Sequence, residues 1–70
     1  MKPQEMINFL ELNGYNFIRQ KGTSHRIYGN GIHSVPLPIH SGKEYDSGFI
    51  SIILRETGIN KKDLLDFLER

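Results

Sequence analysis

The chain has 70 residues, 37% hydrophobic and 24% charged, with a formal net charge of +1 and no cysteine. This length fits one domain over residues 1–70 and leaves no space for a large cofactor fold. The lack of cysteine excludes disulfides, thiolate metal sites and cysteine nucleophiles. The longest apolar run, Ile52 to Leu54, is far shorter than a membrane span, and no secretory leader is recognised, so we expect a soluble cytoplasmic protein.

The first part of the chain predicts one helix followed by two strands. A proline suited to a first helical turn and apolar residues at three- and four-residue spacing predict a helix over residues 3–13. Residues 15–20 and 24–28 are rich in aromatic and β-branched side chains, and a Lys-Gly-Thr stretch over residues 21–23 separates them. Both segments are therefore predicted to be strands.

The third strand is predicted to lie at the edge of the sheet. Asn30-Gly31 is the dipeptide best suited to the two positive φ angles of a tight hairpin turn, and residues 32–39 follow it as a strand. Pro36 and Pro38 lack N–H donors, and because they are two residues apart both gaps can face solvent. The alternate side chains share one face, which we expect to be buried: Val35, Leu37 and Ile39.

The last third of the chain predicts two helices after a polar loop over residues 40–46. The segment 49–54 is too apolar for an exposed helix, so it is expected to pack on the sheet, with Asp46 or the following serine as its cap and Gly58 at its end. Asn60 then starts a short extra C-terminal helix. The predicted class is α+β, with the order α-β-β-β-α and helices on one face of a three-stranded antiparallel sheet.

Positive charge is concentrated in the middle of the chain. No acidic residue occurs between Glu11 and Glu44, and the segments on either side carry more acids than bases. The middle segment holds four bases and all three histidines: Arg19, Lys21, Arg26, Lys43, His25, His33 and His40. A local positive field attracts phosphate-bearing partners even when the whole molecule is nearly neutral. The alternative is an ordinary solvated strand face.

His25 has the strongest chemical indication in this segment. It lies one residue into the second predicted strand, after the turn Gly22-Thr23-Ser24 and between Lys21 and Arg26. A neutral imidazole can accept the proton of a ribose 2′-hydroxyl, while the cations and the N–H groups of the turn hold phosphate. The alternative is a hydrogen-bonded histidine at the edge of the core, because strand alternation puts His25 on the face of Ile27, which we expect to be buried.

Other polar and aromatic residues of this segment have weaker indications. Tyr28 could stack on an RNA base, or could pack as a cross-strand neighbour of Tyr15 or Phe17. His40 could supply a general acid or could be a solvated loop residue, and Lys43 is a base of the same loop. The histidine spacing matches no common ligand set, so neither a metal nor another cofactor is expected.

Four segments of the chain form a pattern together: Gly14-Tyr15, Arg19 to His25, Val35 to His40, and Gly48 to Gly58. They resemble the HicA family of toxins from HicAB toxin–antitoxin systems over nearly the whole chain. This resemblance implies a fold similar to double-stranded-RNA-binding domains and a ribosome-independent ribonuclease that acts on messenger RNA and is inhibited by a HicB antitoxin. It places the family's catalytic histidine on His25, the serine before it on Ser24, and a Pro-x-His on Pro38 and His40.

We therefore predict a metal-independent endoribonuclease toxin with His25 as its catalytic residue. The predicted RNA-binding residues are Arg19, Lys21, Gly22, Thr23, Ser24, Arg26, Tyr28, His40 and Lys43. The expected partners are messenger RNA and a HicB-like antitoxin, with no membrane. The alternative is a non-catalytic RNA-binding module, which would retain intact RNA in a salt-sensitive manner and release no products.

Overall fold

The computed structural model describes residues 1–40 and 42–70, and within them the chain forms three helices and three strands. The helices are α1 (Pro3–Leu12), α2 (Ser47–Thr57) and α3 (Lys61–Leu68). The strands are β1 (Asn16–Lys21), β2 (His25–Gly29) and β3 (Ser34–Pro38). The predicted α+β class and element order are confirmed. Ser41, which belongs to the predicted loop over residues 40–46, lies outside the described residues.

The strands form an antiparallel meander in the order β1-β2-β3. Two sets of directly opposite residues cross all three strands. The first, which we call the histidine row, consists of Lys21, His25 and Pro38. The second, which we call the isoleucine row, consists of Arg19, Ile27 and Pro36. Because opposite residues and residues two apart share a face, both rows project from the same side of the sheet.

β3 is an edge strand, as predicted. The Ile39 N–H donates to the Ser24 carbonyl at 2.6 Å, which fixes the pairing of β3 with β2. Hydrogen-bonded pairs alternate along an antiparallel ladder, so Pro36 and Pro38 direct their backbone away from β2. The two missing donors therefore lie on the outer edge of the sheet.

The hairpin between β2 and β3 differs from the prediction. Gly31 has a positive φ of 92°, whereas Asn30 does not, so the tight turn with two positive φ angles is wrong. The Asn30 Oδ1 instead accepts hydrogen bonds from the N–H groups of Ile32 at 2.9 Å and His33 at 2.7 Å. The side chain of Asn30 thus organises a longer loop, and β3 begins at Ser34 rather than at residue 32.

The hydrophobic core lies between the helices and one face of the sheet. It joins side chains of α1, β2, β3, α2 and α3, among them Met6, Phe9, Leu10, Tyr28, Val35, Leu37, Ile53 and Leu64. The predicted burial is confirmed for Val35 and Leu37, whereas Ile39 follows the end of β3 and is only partly buried against the core. Because Tyr28 of β2 points into this core, the neighbouring odd-numbered residues of β2 project to the other side, which we call the open face.

The helix ends follow the predicted local signals. The Asp46 carboxylate accepts a hydrogen bond from the Phe49 N–H at 2.8 Å and caps α2, and Gly58 ends α2 with a φ of 72°. Asn60 precedes α3 as predicted, but among the described residues its side chain makes no capping hydrogen bond. A side-chain cap therefore stabilises the start of α2, whereas α3 starts without one among the described residues.

Candidate nucleic-acid interface

His25 is exposed on the open face at the start of β2. Its Nδ1 lies 3.3 Å from the Ser24 Oγ. When Nδ1 carries the ring hydrogen and donates it to this hydroxyl, Nε2 is the proton acceptor of the ring. The ring is therefore accessible to a bound molecule and is not buried at the edge of the core.

Ile27 is buried, as expected, but on the open face rather than among the core residues between the helices and the sheet. Its side chain is only 8% exposed, yet it lies outside the core cluster. The reason is the alternation along β2, which gives the core side to Tyr28 and the open face to His25 and Ile27. His25 and Ile27 do share a face, as predicted, but it is the face that the helices do not cover.

Two basic side chains accompany His25 on the open face. Lys21 lies directly opposite His25, and Arg19 lies two residues away along the exposed strand β1. Two strand residues span about 6.6 Å, so these cations form a short column along one side of the face. The structure thus brings together three predicted site residues and provides the positive charge that a phosphate chain requires.

The turn over residues 22–24 connects β1 to β2 beside the histidine row. Gly22 adopts a positive φ of 67°, which glycine tolerates without steric cost. Among the described residues, none accepts a backbone hydrogen bond from the N–H groups of Gly22, Thr23 or Ser24. N–H groups of a turn can bind an anion, and those of this turn are not used in backbone hydrogen bonds within the described residues.

Two predicted RNA-binding residues point to the core side instead. Tyr28 is 3% exposed and packs edge-on against Phe17, with ring centroids 5.9 Å apart, so base stacking by Tyr28 does not fit its position. Arg26 lies opposite the core residue Leu37 and therefore projects away from the His25 imidazole. Burial raises the pKa of Tyr45, and the Arg26 guanidinium partly offsets this rise.

His40 and Lys43 lie in the exposed loop after β3, beside two adjoining cavities of about 160 and 250 Å³. Glu44 lines both cavities with them, so the local charge there is mixed. Pro38 of the histidine row lines the smaller cavity, and the loop thus adjoins the end of that row. His25 lines neither cavity and lies on the open face instead.

Tyr45 was not among the predicted site residues. It lies in the predicted polar loop, yet it is 9% exposed, packs on Phe49 with ring centroids 4.7 Å apart, and donates its hydroxyl to the Pro38 carbonyl at 2.8 Å. Pro38 is the direct neighbour of His25 across the sheet. A single aromatic residue within an otherwise polar loop was the available signal for this packing role.

His33 is exposed next to the β2–β3 loop, at the opposite end of the hairpin from His25. Within residues 1–40 and 42–70, no three His, Cys, Asp or Glu side chains are grouped closely enough to hold a metal ion together. In the same ranges, each helix is too short or too polar to cross a membrane.

Comparison with known proteins gives one match. The family model of HicA toxins of bacterial toxin–antitoxin systems matches residues 3–59, from the start of α1 to the residue after Gly58. No curated protein and no solved structure matches the chain. The matched range includes both rows, the turn over residues 22–24 and the Pro38–His40 segment, and leaves α3 outside. Because the match covers most of the 70 residues, the chain belongs to the HicA toxin family.

Proposed function

We propose that this HicA-family chain is an endoribonuclease that cleaves messenger RNA without a metal ion, with His25 as the general base. One observation carries the proposal, namely the histidine row, which presents an exposed imidazole and an exposed ammonium group on one face of the sheet. The match to a toxin family supports the proposal that this cleavage is toxic to the cell. The choice of messenger RNA follows from the family resemblance.

The proposed reaction is an intramolecular transfer at phosphorus. The His25 Nε2 takes the proton of a ribose 2′-hydroxyl, and the 2′-oxygen forms a bond to the adjacent phosphorus. The bond from phosphorus to the 5′-oxygen of the next nucleotide breaks, and that oxygen is protonated by the imidazolium or by water. The products are a 2′,3′-cyclic phosphate and a 5′-hydroxyl. Ser24 orients the ring by accepting the Nδ1 hydrogen.

Charge stabilisation comes from groups that lie next to the imidazole. Negative charge builds on the phosphate oxygens during the transfer, and Lys21 and the N–H groups of Gly22 and Thr23 are placed to bind them. Arg19 then contacts the neighbouring phosphate along the chain. Because these groups are fixed by β1 and its turn before RNA binds, little reorganisation is needed during the reaction.

The second proposed partner is a HicB-type antitoxin. A toxin of a toxin–antitoxin system is held inactive by its antitoxin, and the exposed histidine row is the surface that must be covered to block the proposed chemistry. Lys21 and Arg19 favour an acidic antitoxin surface, which would pair with them and exclude RNA by competition.

The test compares His25→Ala with the matched variant His33→Ala, which removes an imidazole at the other end of the hairpin. Wild type and His33→Ala are expected to cleave RNA in excess EDTA, whereas His25→Ala is expected to lose cleavage with an unchanged circular dichroism spectrum. Full activity of His25→Ala would refute the proposal. Salt-sensitive binding of RNA that stays intact with wild type would instead identify a non-catalytic RNA-binding module.

A further inference from the structure

We infer that the open face carries a nucleobase subsite, formed by Ile18, Ile27 and Pro36, which makes the protein selective for unpaired RNA. We call these three residues the apolar platform. The inference rests on the proposed function only for the position of the RNA backbone at the histidine row. The exposure of Ile18 (54%) and of Pro36 leaves the upper surface of the platform accessible.

The platform is built by an irregularity of β1. The register shifts between Phe17 and Arg19, so Ile18 is an extra residue opposite β2. Ile18 lies across Gly29, where any added Cβ would collide with the Ile18 Cδ1. Ile27 is nearly buried without belonging to the helix-covered core, so its cover comes from side chains of the open face. The result is an apolar surface in the middle of a polar face.

The platform lies one row away from the proposed catalytic row. The isoleucine row follows the histidine row at about 6.6 Å along the strands, close to the step between successive phosphates of an extended RNA strand. We place the scissile phosphate between His25 and Lys21. The base of the adjoining nucleotide then reaches the platform, and the next phosphate along the RNA contacts Arg19. A cationic column beside a platform for base faces is the arrangement by which single-stranded nucleic acids are bound.

The nature of the platform decides between unpaired and duplex RNA. In a duplex the base faces are stacked on one another and the sides of the helix present phosphate and ribose, so an apolar platform has nothing to contact. An aliphatic surface also makes no hydrogen bonds to base edges and should accept different bases. The proposed occupant is RNA rather than a protein, because Arg19 and Lys21 flank the platform on the same face as His25 and supply positive charge for phosphate groups.

The test measures the affinity for RNA separately from its cleavage. The probe is a short fluorescein-labelled 2′-O-methyl RNA, which cannot undergo the proposed transfer, used alone or annealed to its complement in fluorescence anisotropy. Ile18→Ser is compared with Ile32→Ser, the same change at a side chain that is 84% exposed in the β2–β3 loop. We expect the unpaired probe to bind wild type roughly tenfold tighter than the duplex. Ile18→Ser should weaken the unpaired probe roughly five- to tenfold, and Ile32→Ser less than twofold.

Several results would overturn the inference. Equal Kd values for the two variants, or tighter binding of the duplex, would show that no base contacts the platform. An Ile18→Ser variant that keeps its RNA affinity but loses binding to its co-purified antitoxin would assign the platform to a protein. Thermal melting of both variants excludes unfolding as the cause of a change. Failure of the proposed function is read from a different measurement, the cleavage of unmodified RNA by His25→Ala.

Discussion

Tyr45→Phe removes one hydroxyl that connects the core to the candidate site. In the wild type this hydroxyl donates to the Pro38 carbonyl at 2.8 Å, and Pro38 lies directly opposite His25 in the sheet. The variant keeps the ring that packs on Phe49 and leaves the half-buried carbonyl without its donor. An unsatisfied buried acceptor costs about 1 to 2 kcal/mol. For a domain of this size, Tm should fall by roughly 5 to 15 °C at neutral pH.

The pH dependence of this difference has a definite sign. The pKa of Tyr45 is raised from 10.0 to about 12 by burial, with a smaller contribution from Tyr28, so the folded protein holds the phenol proton more tightly than the unfolded chain. The corresponding stability is fully present below pH 10 and is lost as the pH rises towards 12. The Tyr45→Phe variant has no such proton, so its deficit should shrink between pH 10 and 12.

Thermal and urea denaturation at pH 7, 9 and 11, followed by circular dichroism, measure this difference. Tyr15→Phe is the matched control, because the Tyr15 hydroxyl is buried and has no hydrogen-bond partner among the described residues. Its removal should leave stability unchanged or raise it. Equal stability of the two variants at pH 7 would refute the role of the Tyr45 hydroxyl, and a gap that stays constant from pH 9 to 11 would refute the raised pKa of Tyr45.

Two further predictions concern charge and capping. Arg19→Ala and Lys21→Ala should each weaken RNA binding and reduce the steepness with which the logarithm of the binding constant falls with the logarithm of the salt concentration by about 0.7. Lys62→Ala in α3 should leave this slope unchanged. Binding titrations at several salt concentrations measure the slopes. Asp46→Ala should lower the free energy of unfolding by about 1 kcal/mol through loss of the α2 cap. Asn60→Ala should lower it clearly less, because the Asn60 side chain makes no capping hydrogen bond among the described residues. Urea denaturation of both variants measures the difference.

The elements of the fold could be predicted because their signals are local. Apolar residues at helical spacing, the glycine at position 58 and the two prolines of β3 each act within a few residues of their own position. The Asn-Gly dipeptide after β2 predicts a tight turn, but the Asn30 side chain accepts hydrogen bonds from two N–H groups of its own loop and stabilises a longer connection.

The main error in the predicted site concerned which face of β2 enters the core. Ile27 and Tyr28 are adjacent, so the alternation of β2 alone allowed either face to be buried. The alternation of β3 resolves this choice, because a hairpin loop of two or four residues pairs Val35 with an even-numbered residue of β2, and Val35 is buried. Arg26 and Tyr28 therefore lie on the core side of β2, and His25 lies on the open face.

Other features of the site depend on packing that the sequence does not encode locally. The sequence predicted a three-residue connection over residues 21–23, whereas β1 extends to Lys21 and β2 begins at His25, which places these two residues opposite each other. The bulge at Ile18 and the hydrogen bond from Tyr45 to Pro38 depend on contacts between distant segments. Two adjacent apolar residues, Phe17 and Ile18, were the available sign that β1 breaks its alternation.

The central claim is that His25 removes the proton of a ribose 2′-hydroxyl, and the chemistry of the product ends tests it most directly. An RNA oligonucleotide and its 2′-O-methyl copy are incubated with wild type and with His25→Ala, and the fragments are identified by mass spectrometry. We predict a 2′,3′-cyclic phosphate, or the monophosphate formed by its hydrolysis, on the upstream fragment, only from unmodified RNA and only with wild type. Fragments with a 3′-hydroxyl and a 5′-phosphate, or cleavage of the methylated copy, would contradict it.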